Sequence, residues 1–475
     1  MLLFTAGLLV YSQTLAFAYD EGFHLLTAQL IKAGKRPYLD FFFPQTPLNA
    51  YWNAFWFRLF GDTWRVAHAA SSFLVAGAVM LTADYLYRRF PVSNWRVAAA
   101  LTSICLVGLN EAVVQFGLVQ AYGMCMFLIV VAFRCSILAV ERRSPIAPFL
   151  AGLAAAAAAN ASLLSAPAAP VFLIWIWFYN VAGNRWAKVA AFVSGCALAC
   201  LPLLLLLRQG PRQVLFNVFE YHAFHRQDKW DGAIAHDIDV YGAWIDSSQA
   251  LILGLLAIVG FWFVMRRSGW DRARRAEFYL CAWLVIAITL HLLNAHPVFS
   301  RYWLLVVPYL SILALAGLYA IALRIGDALA ERATLRPIVF VAALTILGSA
   351  KSIFDQRDAF FWRNAEEIAA KVGQVTPRGA LLLATEHVYF ILKRPPPPGL
   401  EHADSHKLKL PADLARSLHV IPQAELDKQI KAGAFDTLET CDSDEDRIKE
   451  LRLNQTYGQT VNISDCDIFW DRKHK

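Results

Sequence analysis

Long apolar blocks separated by short basic loops dominate this sequence up to about residue 352. A membrane-spanning helix needs about 20 largely apolar residues, whereas amphipathic elements of a soluble core alternate apolar and polar positions. The blocks raise the apolar content to 57%, against roughly 45–50% in a soluble domain. This pattern excludes a soluble globular protein, a disordered chain and a disulfide-rich secreted domain. The sequence therefore predicts a polytopic α-helical membrane protein.

About eleven blocks qualify as spans, and two of them are short. They lie at roughly 1–19, 66–87, 96–110, 118–139, 146–162, 167–181, 187–207, 249–265, 277–295, 301–323 and 336–352. The first block ends in Ala16-Phe17-Ala18, which is similar to the cleavage site of a signal peptide. Because no Lys or Arg precedes Lys32, the basic start of a signal peptide is missing, and an uncleaved first span is favoured over cleavage.

Basic residues concentrate in alternate short loops, and one loop alone holds Arg266, Arg267, Arg272, Arg274 and Arg275. Cytoplasmic loops of membrane proteins carry such an excess of Lys and Arg. The opposite loops and the tail are therefore predicted to face outward from the plasma (inner) membrane. The net charge of +7 is then explained by the basic loops that set the orientation in the membrane. Nucleic acid is therefore not a predicted partner.

Three outward segments are too long to serve only as connectors. We predict a membrane domain over residues 1–352, with outward loops 20–65 and 208–248, and a small extracytoplasmic α/β domain over residues 353–475. Helices are predicted in the tail at Asp358–Val372, Ala424–Ala432 and Glu445–Arg452. Strands are predicted there at Ala380–Ala384, Leu418–Ile421, Thr437–Thr440 and Thr460–Ile468.

Two cysteines, Cys441 and Cys466, stand alone in the outward tail, whereas the others fall in or beside predicted spans. The outward compartment is oxidising, which favours a disulfide between the two. No CxxC pair or His-rich motif indicates zinc, and the sequence leaves a metal site unknown.

The first outward loop places Asp20 and Glu21 directly beyond a predicted span. A low-dielectric boundary tends to raise the pKa of a carboxylate, and a carboxylate there can act as a general base toward a hydroxyl or an amine. The same two acids would also suit the start of the helix predicted from Phe23, because acids favour helix N-termini. The residues alone leave both interpretations open.

A series of motifs follows this acidic pair. They are Gly34, Pro37-Tyr38-Leu39-Asp40, Pro47-Leu48-Asn49-Ala50-Tyr51-Trp52, Phe60-Gly61, the small-residue stretch from Ala151 to Pro167, and the segment from Arg301 to Pro308. In order and spacing the chain resembles the GT-C superfamily of membrane glycosyltransferases, and within it the protein O-mannosyltransferase and lipid A aminoarabinose transferase group. The resemblance covers roughly residues 1–325 and implies the GT-C fold.

The resemblance also implies an activity. It is an inverting transfer of a sugar from a polyprenyl phosphate to a lipid, glycan or protein acceptor at the outer membrane surface. Asp20 would be the base, and Glu21 would support the site. Arg301, and after it Arg65 and Lys35, would bind the donor phosphate, although each cation also suits contact with lipid headgroups. No cofactor is certain, and a divalent metal is left open.

Four further side chains are candidate acceptor or ion contacts, although each also suits a polar interface or a solvated loop: His24, Glu111, His222 and His225. The chain departs from its relatives at Gln45 and Asn160, where they carry cations, which leaves the donor contacts open. Alternative functions are a lipid-linked glycan transporter or flippase, and a noncatalytic relative that binds cell-envelope glycans. Transporters hold ionisable groups near the bilayer midplane, often in internal repeats. Acids in outward loops and no visible repeat favour the enzyme.

Overall fold

A computed structural model describes residues 2–18, 20–118, 121–226, 233–266, 269–325, 335–441 and 445–473. The chain forms two compact units, and each is assembled from three separate segments. The first unit contains Met1–Thr14, His68–Leu203 and Gly232–Asp358, and the second contains Leu15–Ala67, Leu204–Asp231 and Ala359–Lys475. The sequence predicts two continuous domains that meet near residue 352, and this boundary stays a prediction.

Most helices of the first unit coincide with the predicted apolar blocks, whereas Glu111–Phe116 and Ala233–Asp246 lie outside them. The helices of this unit are Leu2–Thr14, Trp64–Arg89, Arg96–Gly108, Glu111–Phe116, Tyr122–Glu141, Ile146–Ala161, Ala168–Tyr179, Arg185–Gln209, Ala233–Asp246, Ser248–Arg266, Arg272–Leu293, Val307–Ile325 and Leu335–Asp355. Among the described residues, six helices are long and apolar enough to cross a membrane: those beginning at Trp64, Tyr122, Arg185, Ser248, Arg272 and Val307. The chain is thus a multi-pass membrane protein, while the total of about eleven spans stays a prediction.

Small residues bring pairs of these helices into direct backbone contact. A Cβ atom added to Gly260 would lie 1.9 Å from the carbonyl oxygen of Leu313, and one added to Gly317 would lie 2.0 Å from that of Leu256. Any side chain larger than hydrogen would therefore force apart the helices Ser248–Arg266 and Val307–Ile325. Close approach through small residues is a common means of helix association in bilayers, where burial of apolar surface gives little drive.

A buried ionic cluster joins three helix ends at one end of the first unit. The carboxylate of Glu277 accepts hydrogen bonds from Arg89 Nη2 at 2.7 Å, Arg274 Nη1 at 2.9 Å and the Tyr85 hydroxyl at 3.0 Å. Arg89 also pairs with Glu141. The ends of helices Trp64–Arg89 and Tyr122–Glu141 thus lie beside the start of Arg272–Leu293, as alternate loops on one membrane face require. Which face this is stays a prediction.

The second unit combines the first outward loop, the second outward segment and the tail. Its helices are Glu21–Lys32, Leu48–Phe60, Pro211–Leu215, Trp362–Val375, Glu386–Leu392, Ala412–Ser417, Gln423–Lys431, Glu445–Glu450 and Leu453–Thr456, with a π-helix over Phe216–His225. Its sheet contains β1 (Leu382–Leu383), β2 (Thr437–Thr440), β3 (Tyr457–Ile463) and β4 (Cys466–Arg472) in the order β1-β2-β4-β3. Strand β1 is parallel to β2, and the other pairs are antiparallel.

Two strand predictions in the tail are wrong in detail. The segment Leu418–Ile421 pairs with no described strand, because its buried Leu418 and Val420 pack beside Phe42 and Tyr221 instead. The segment Thr460–Ile468 is a hairpin rather than one strand, since β3 and β4 turn at Ser464 and Asp465. Both turn residues have positive φ, of 51° and 64°, as the favoured hairpin turns require. Neither residue is the glycine that most clearly marks such a turn, which explains why one continuous strand was predicted.

The other predicted tail elements are present, and the helices Glu386–Leu392, Ala412–Ser417 and Leu453–Thr456 are additional to them. The helix Trp362–Val375, the strand β2 and the helix Gln423–Lys431 lie where they were predicted. A disulfide joins Cys441, which follows β2, to Cys466, the first residue of β4. It ties together two neighbouring strands of the sheet.

Candidate functional site

The two adjacent acids of the first loop have different surroundings. Asp20 precedes the helix Glu21–Lys32, is exposed, and makes no side-chain capping hydrogen bond to it. Glu21 is only 3% exposed, and its Oε2 accepts a hydrogen bond of 2.7 Å from the indole of Trp362. Of the two carboxylates, Asp20 is therefore the one that a substrate can reach, and Glu21 fixes the start of the helix.

Tail residues cover the buried side of this helix start. The ring of Trp362 stacks on Trp64 with centroids 5.5 Å apart, and His387 Nε2 lies 3.3 Å from the carbonyl oxygen of Ala18. At Gly22 an added Cβ would lie 2.7 Å from the His387 ring, so glycine is required for this close approach. The position of Asp20 thus depends on contacts with tail residues that lie far from it in the sequence.

Two predicted phosphate-binding cations lie in the same unit. The Arg65 guanidinium stacks 4.2 Å from the Trp64 ring, and its Nη1 pairs with Glu366 at 2.6 Å. Lys35 is exposed. Burial raises the pKa of Glu401, and the charge of Lys35 partly opposes this shift. Both residues have acidic neighbours, and their predicted contact with a donor phosphate stays a prediction.

Backbone and side chains of the second outward segment contact the first loop. Asn217 is fully buried; its Oδ1 accepts a hydrogen bond of 2.9 Å from the Phe43 backbone, and its Nδ2 donates to Gln213. The His222 ring donates a hydrogen bond to the carbonyl oxygen of Pro44. The rings of Phe42 and Tyr221 meet edge to face at 5.9 Å. The two loops that the sequence predicts to face outward therefore form one packed structure.

The two remaining predicted histidines lie against aromatic rings. His24 is buried, and its ring meets Phe43 edge to face at 6.4 Å. His225 lies 5.2 Å from the ring of Phe216. The structure also adds His402, a buried residue 5.0 Å from Phe23, which sequence reasoning missed because no spacing signal links it to the first loop.

Polar side-chain atoms without protein partners occur at the start of the helix Leu48–Phe60 and just before it. Thr46, Asn49 and Asn53 are each 5% exposed or less. Within the described part of the chain, Thr46 Oγ1, Asn49 Nδ2 and Asn53 Oδ1 have no hydrogen-bond partner. Burying such groups unpaired costs about 1–3 kcal/mol each. This stripe is therefore suited to a ligand or to bound water, and sequence reasoning missed it.

Lowered pH should loosen the contact of His222 with the first loop. Burial, aided by the charge of Arg226, lowers the pKa of His222 to about 4, against about 6.5 in an unfolded chain. Between these values the unfolded state binds more protons, so stability falls as pH falls through this window. We expect His222→Gln to flatten that pH dependence in thermal melts from pH 7 to 4. His419→Gln, in the tail of the same unit, is the control, and equal slopes for wild type and His222→Gln would contradict the prediction.

Arg301 and Glu111 belong to the first unit. Arg301 lies in a 3₁₀-helix, Ser300–Leu305, with its guanidinium carbon 4.2 Å from the centroid of Phe299 and 6.0 Å from that of Tyr302. Glu111 begins a short helix, and its Oε1 accepts a hydrogen bond of 2.8 Å from Ser352. The other predicted site residues, Asp20, Glu21, His24, Lys35, Arg65, His222, His225, Cys441 and Cys466, belong to the second unit.

The two positions that depart from the family pattern have local partners. Asn160 is buried, and its Nδ2 donates to the carbonyl oxygen of Ala156 at 2.9 Å in its own helix. The carbonyl oxygen of Gln45 accepts a hydrogen bond of 2.7 Å from the Tyr38 hydroxyl. Among the described residues, the one group of three side chains placed closely enough to hold a metal is Glu439, Cys441 and Cys466. Its cysteines form the disulfide and offer no thiolate.

Solved structures with the same architecture are membrane transferases. The chain superimposes on ArnT from Cupriavidus metallidurans bound to undecaprenyl phosphate with a TM-score of 0.67, 16% identity, and 98% of this chain and 97% of that chain covered. The chain has the GT-C fold. The apo oligosaccharyltransferase of Archaeoglobus fulgidus matches with a TM-score of 0.55, 12% identity, and coverage of 92% of this chain and 69% of that one. No family model matches the chain, and no curated protein does.

The GT-C fold bears out the resemblance inferred from the first loop. The apolar blocks and the composition of the tail separately predicted helical spans, two long outward loops and a small α/β tail, and helices, structured loops and a small sheet are present. Because the sequence identity is so low, the match shows the fold only. The roles of individual residues are argued from their own geometry.

Proposed function

We propose that this GT-C protein is an inverting glycosyltransferase that moves a sugar from a polyprenyl phosphate to a lipid, glycan or protein acceptor at the outer membrane surface. The observation that supports it best is the likeness over nearly the whole of both chains to ArnT, which was solved with undecaprenyl phosphate bound. The exposed Asp20, held at a fixed helix start, adds the group that such a reaction needs.

Asp20 is the proposed general base. The acceptor oxygen or nitrogen attacks the anomeric carbon of the donor from the face opposite the phosphate, while the bond from that carbon to the phosphate oxygen breaks. The acceptor proton passes to the Asp20 carboxylate, and the electron pair of the broken bond stays on the polyprenyl phosphate. Attack from the opposite face inverts the anomeric centre.

Arg301 is the proposed partner of the leaving phosphate. Charge develops on the phosphate as the bond breaks, and a positioned guanidinium stabilises it through paired hydrogen bonds. The neighbouring Phe299 and Tyr302 rings restrict the orientation of the guanidinium. No cofactor is assigned to these steps, and a comparison of turnover with a chelator and with added divalent metal tests for metal dependence.

Reconstituted protein tests the proposal against its alternatives. Liposomes with the purified chain receive polyprenyl phosphates that carry radiolabelled mannose, glucose or arabinose, together with membrane lipid, glycan and peptide acceptors. A new glycosidic product supports the transferase. Movement of a labelled lipid-linked glycan across the bilayer without a new bond would support a flippase instead, and glycan binding without either would support a noncatalytic relative.

Substitution of Arg301 tests the phosphate contact. Loss of a hydrogen-bonded charge partner costs about 1.5–3 kcal/mol, so Arg301→Ala should lower kcat/KM for the lipid donor by about 10- to 100-fold. Arg357→Ala is the matched control, since this exposed arginine also stacks on an aromatic ring, 4.5 Å from Phe354. Equal kcat/KM values for both variants would remove Arg301 from the site.

A further inference from the structure

A cavity of about 180 Å³ lies within the first unit, at the end of the helix Ser248–Arg266 where that helix begins. Trp244 and Trp303 form the aromatic part of its lining, the aromatic wall, and Glu111, Gln115 and Gln356 belong to its polar part, the polar wall. A cavity of about 150 Å³ is large enough to hold a benzene ring. The space therefore fits one six-membered ring but not a polyprenyl chain.

The aromatic wall offers a face and one hydrogen-bond donor. The rings of Trp244 and Trp303 are stacked, with centroids 4.5 Å apart and planes 23° apart. Trp303 is 3% exposed, and within the described residues its Nε1–H has no acceptor. A buried donor of this kind needs an acceptor atom, which bound water supplies or a ligand that displaces the water.

The polar wall is a chain of hydrogen bonds that all run toward Glu111. Gln356 Nε2 donates to Gln115 Oε1 at 3.1 Å, Gln115 Nε2 donates to Ser352 Oγ, and Ser352 Oγ donates to Glu111 Oε1 at 2.8 Å. Each of these three side chains donates one hydrogen bond along the chain. Gln356 Oε1 is buried and has no donor in the described part of the chain. The wall therefore presents oxygen acceptors to a ligand.

These features select the chemistry of the ligand. It must supply hydroxyl donors to Gln356 and Glu111, one acceptor oxygen to the Trp303 N–H, and an apolar face to the indoles. A phosphate is disfavoured because Glu111 is an acid with no cationic partner among the described ion pairs. An ammonium group would suit Glu111, but it has no acceptor for Trp303. A sugar ring meets all of these demands.

We propose that this cavity binds one sugar ring of the donor or the acceptor, with Glu111, Trp303 and Gln356 as its polar contacts. The inference rests on the proposed transferase function and names a sugar site for it. The stacked indoles face the C–H groups of the ring, and the three polar groups bond its hydroxyls. Donor and acceptor sugars share this chemistry, and the arms of the experiment below separate them.

Binding of defined probes to the full chain in nanodiscs tests the proposal. The donor arm uses C10 polyprenyl phosphates with mannose, glucose or arabinose, each compared with the sugar-free C10 phosphate. The acceptor arm uses the methyl glycosides of the same sugars. We expect Glu111→Gln and Trp303→Phe each to weaken binding of the preferred sugar by about tenfold, which is about 1.4 kcal/mol. Affinity for the sugar-free phosphate should not change.

Controls separate this inference from the function on which it rests. Trp186→Phe, at an indole that is 68% exposed in the same unit, should leave all affinities unchanged. Gln356→Leu, at another residue that lines the cavity, repeats the test if either first variant melts early. If Glu111→Gln and Trp303→Phe still transfer sugar and keep the sugar preference of the wild type, the sugar site is overturned. The proposed transferase function is then unaffected. An ethanolamine lipid, added as a further probe, tests for an ammonium ligand. If the variants lose affinity for this lipid alone, the sugar site is overturned. Wild-type protein that binds no lipid phosphate would instead refute the transferase.

Discussion

Replacement of Asp20 by Asn is expected to reduce sugar transfer by about 100- to 10,000-fold, which is the usual contribution of a general base. The amide has almost the same size as the carboxylate but cannot take up the acceptor proton. Because Asn keeps the shape of the exposed Asp20 side chain, the substitution should leave the fold and the melting temperature close to those of the wild type. Donor affinity should also stay close to that of the wild type, so the loss should appear in kcat.

Single-turnover transfer from a labelled polyprenyl-phosphate sugar measures this effect directly. Asp40→Asn is the matched control in the same loop. Its carboxylate pairs with Arg36 at 2.9 Å, and the hydrogen bond from that guanidinium lowers the pKa of Asp40, so it is committed to a structural ion pair. We expect Asp40→Asn to transfer sugar at the wild-type rate. Equal activity of wild type and Asp20→Asn would refute Asp20 as the base.

Long apolar blocks were sufficient to predict most helices of the first unit, although not Glu111–Phe116 or Ala233–Asp246. A block such as 249–265 is apolar on all faces, so only a membrane or a deep core can accommodate it, and the helix Ser248–Arg266 follows. The loop motifs then indicated the GT-C fold, because the order of Asp20-Glu21, the Pro-Tyr segment and the Pro-Leu helix is preserved along the chain. These signals come from residues that are close together in the chain, so they can be recognised from the sequence alone.

The different surroundings of Asp20 and Glu21 could not be predicted in this way. Glu21 is buried because the indole of Trp362, 341 residues later, donates to it, and no pattern near either residue encodes that pairing. The cavity beside Glu111 has the same origin, since Trp303 and Gln356 come from distant segments. Where a site is built from tertiary contacts, sequence reasoning names candidates, and the contacts assign their surroundings.

Removal of the Glu277 carboxylate is expected to destabilise the first unit strongly. Its side chain is 3% exposed, and that of its partner Arg89 is 16% exposed. Glu277→Ala leaves Arg89 and Arg274 partly buried with Glu141 as the remaining acid of the cluster. Breaking a buried ion pair by removing one partner costs about 3–5 kcal/mol, mostly because the remaining charge stays desolvated. Early unfolding should be visible as a lower melting temperature in detergent and as lower yield from membranes.

An exposed ion pair of the same unit is the control for this measurement. Asp355 pairs with Lys351 at 3.4 Å, and their side chains are 53% and 80% exposed. Exposed pairs contribute about 0–1 kcal/mol, so Asp355→Ala should melt close to the wild type. If burial sets the energy of the Glu277 cluster, Glu277→Gln should fall between wild type and Glu277→Ala, because the amide oxygen still accepts a hydrogen bond but carries no charge. Equal melting temperatures for Glu277→Ala and Asp355→Ala would show that the cluster does not hold the three helix ends together.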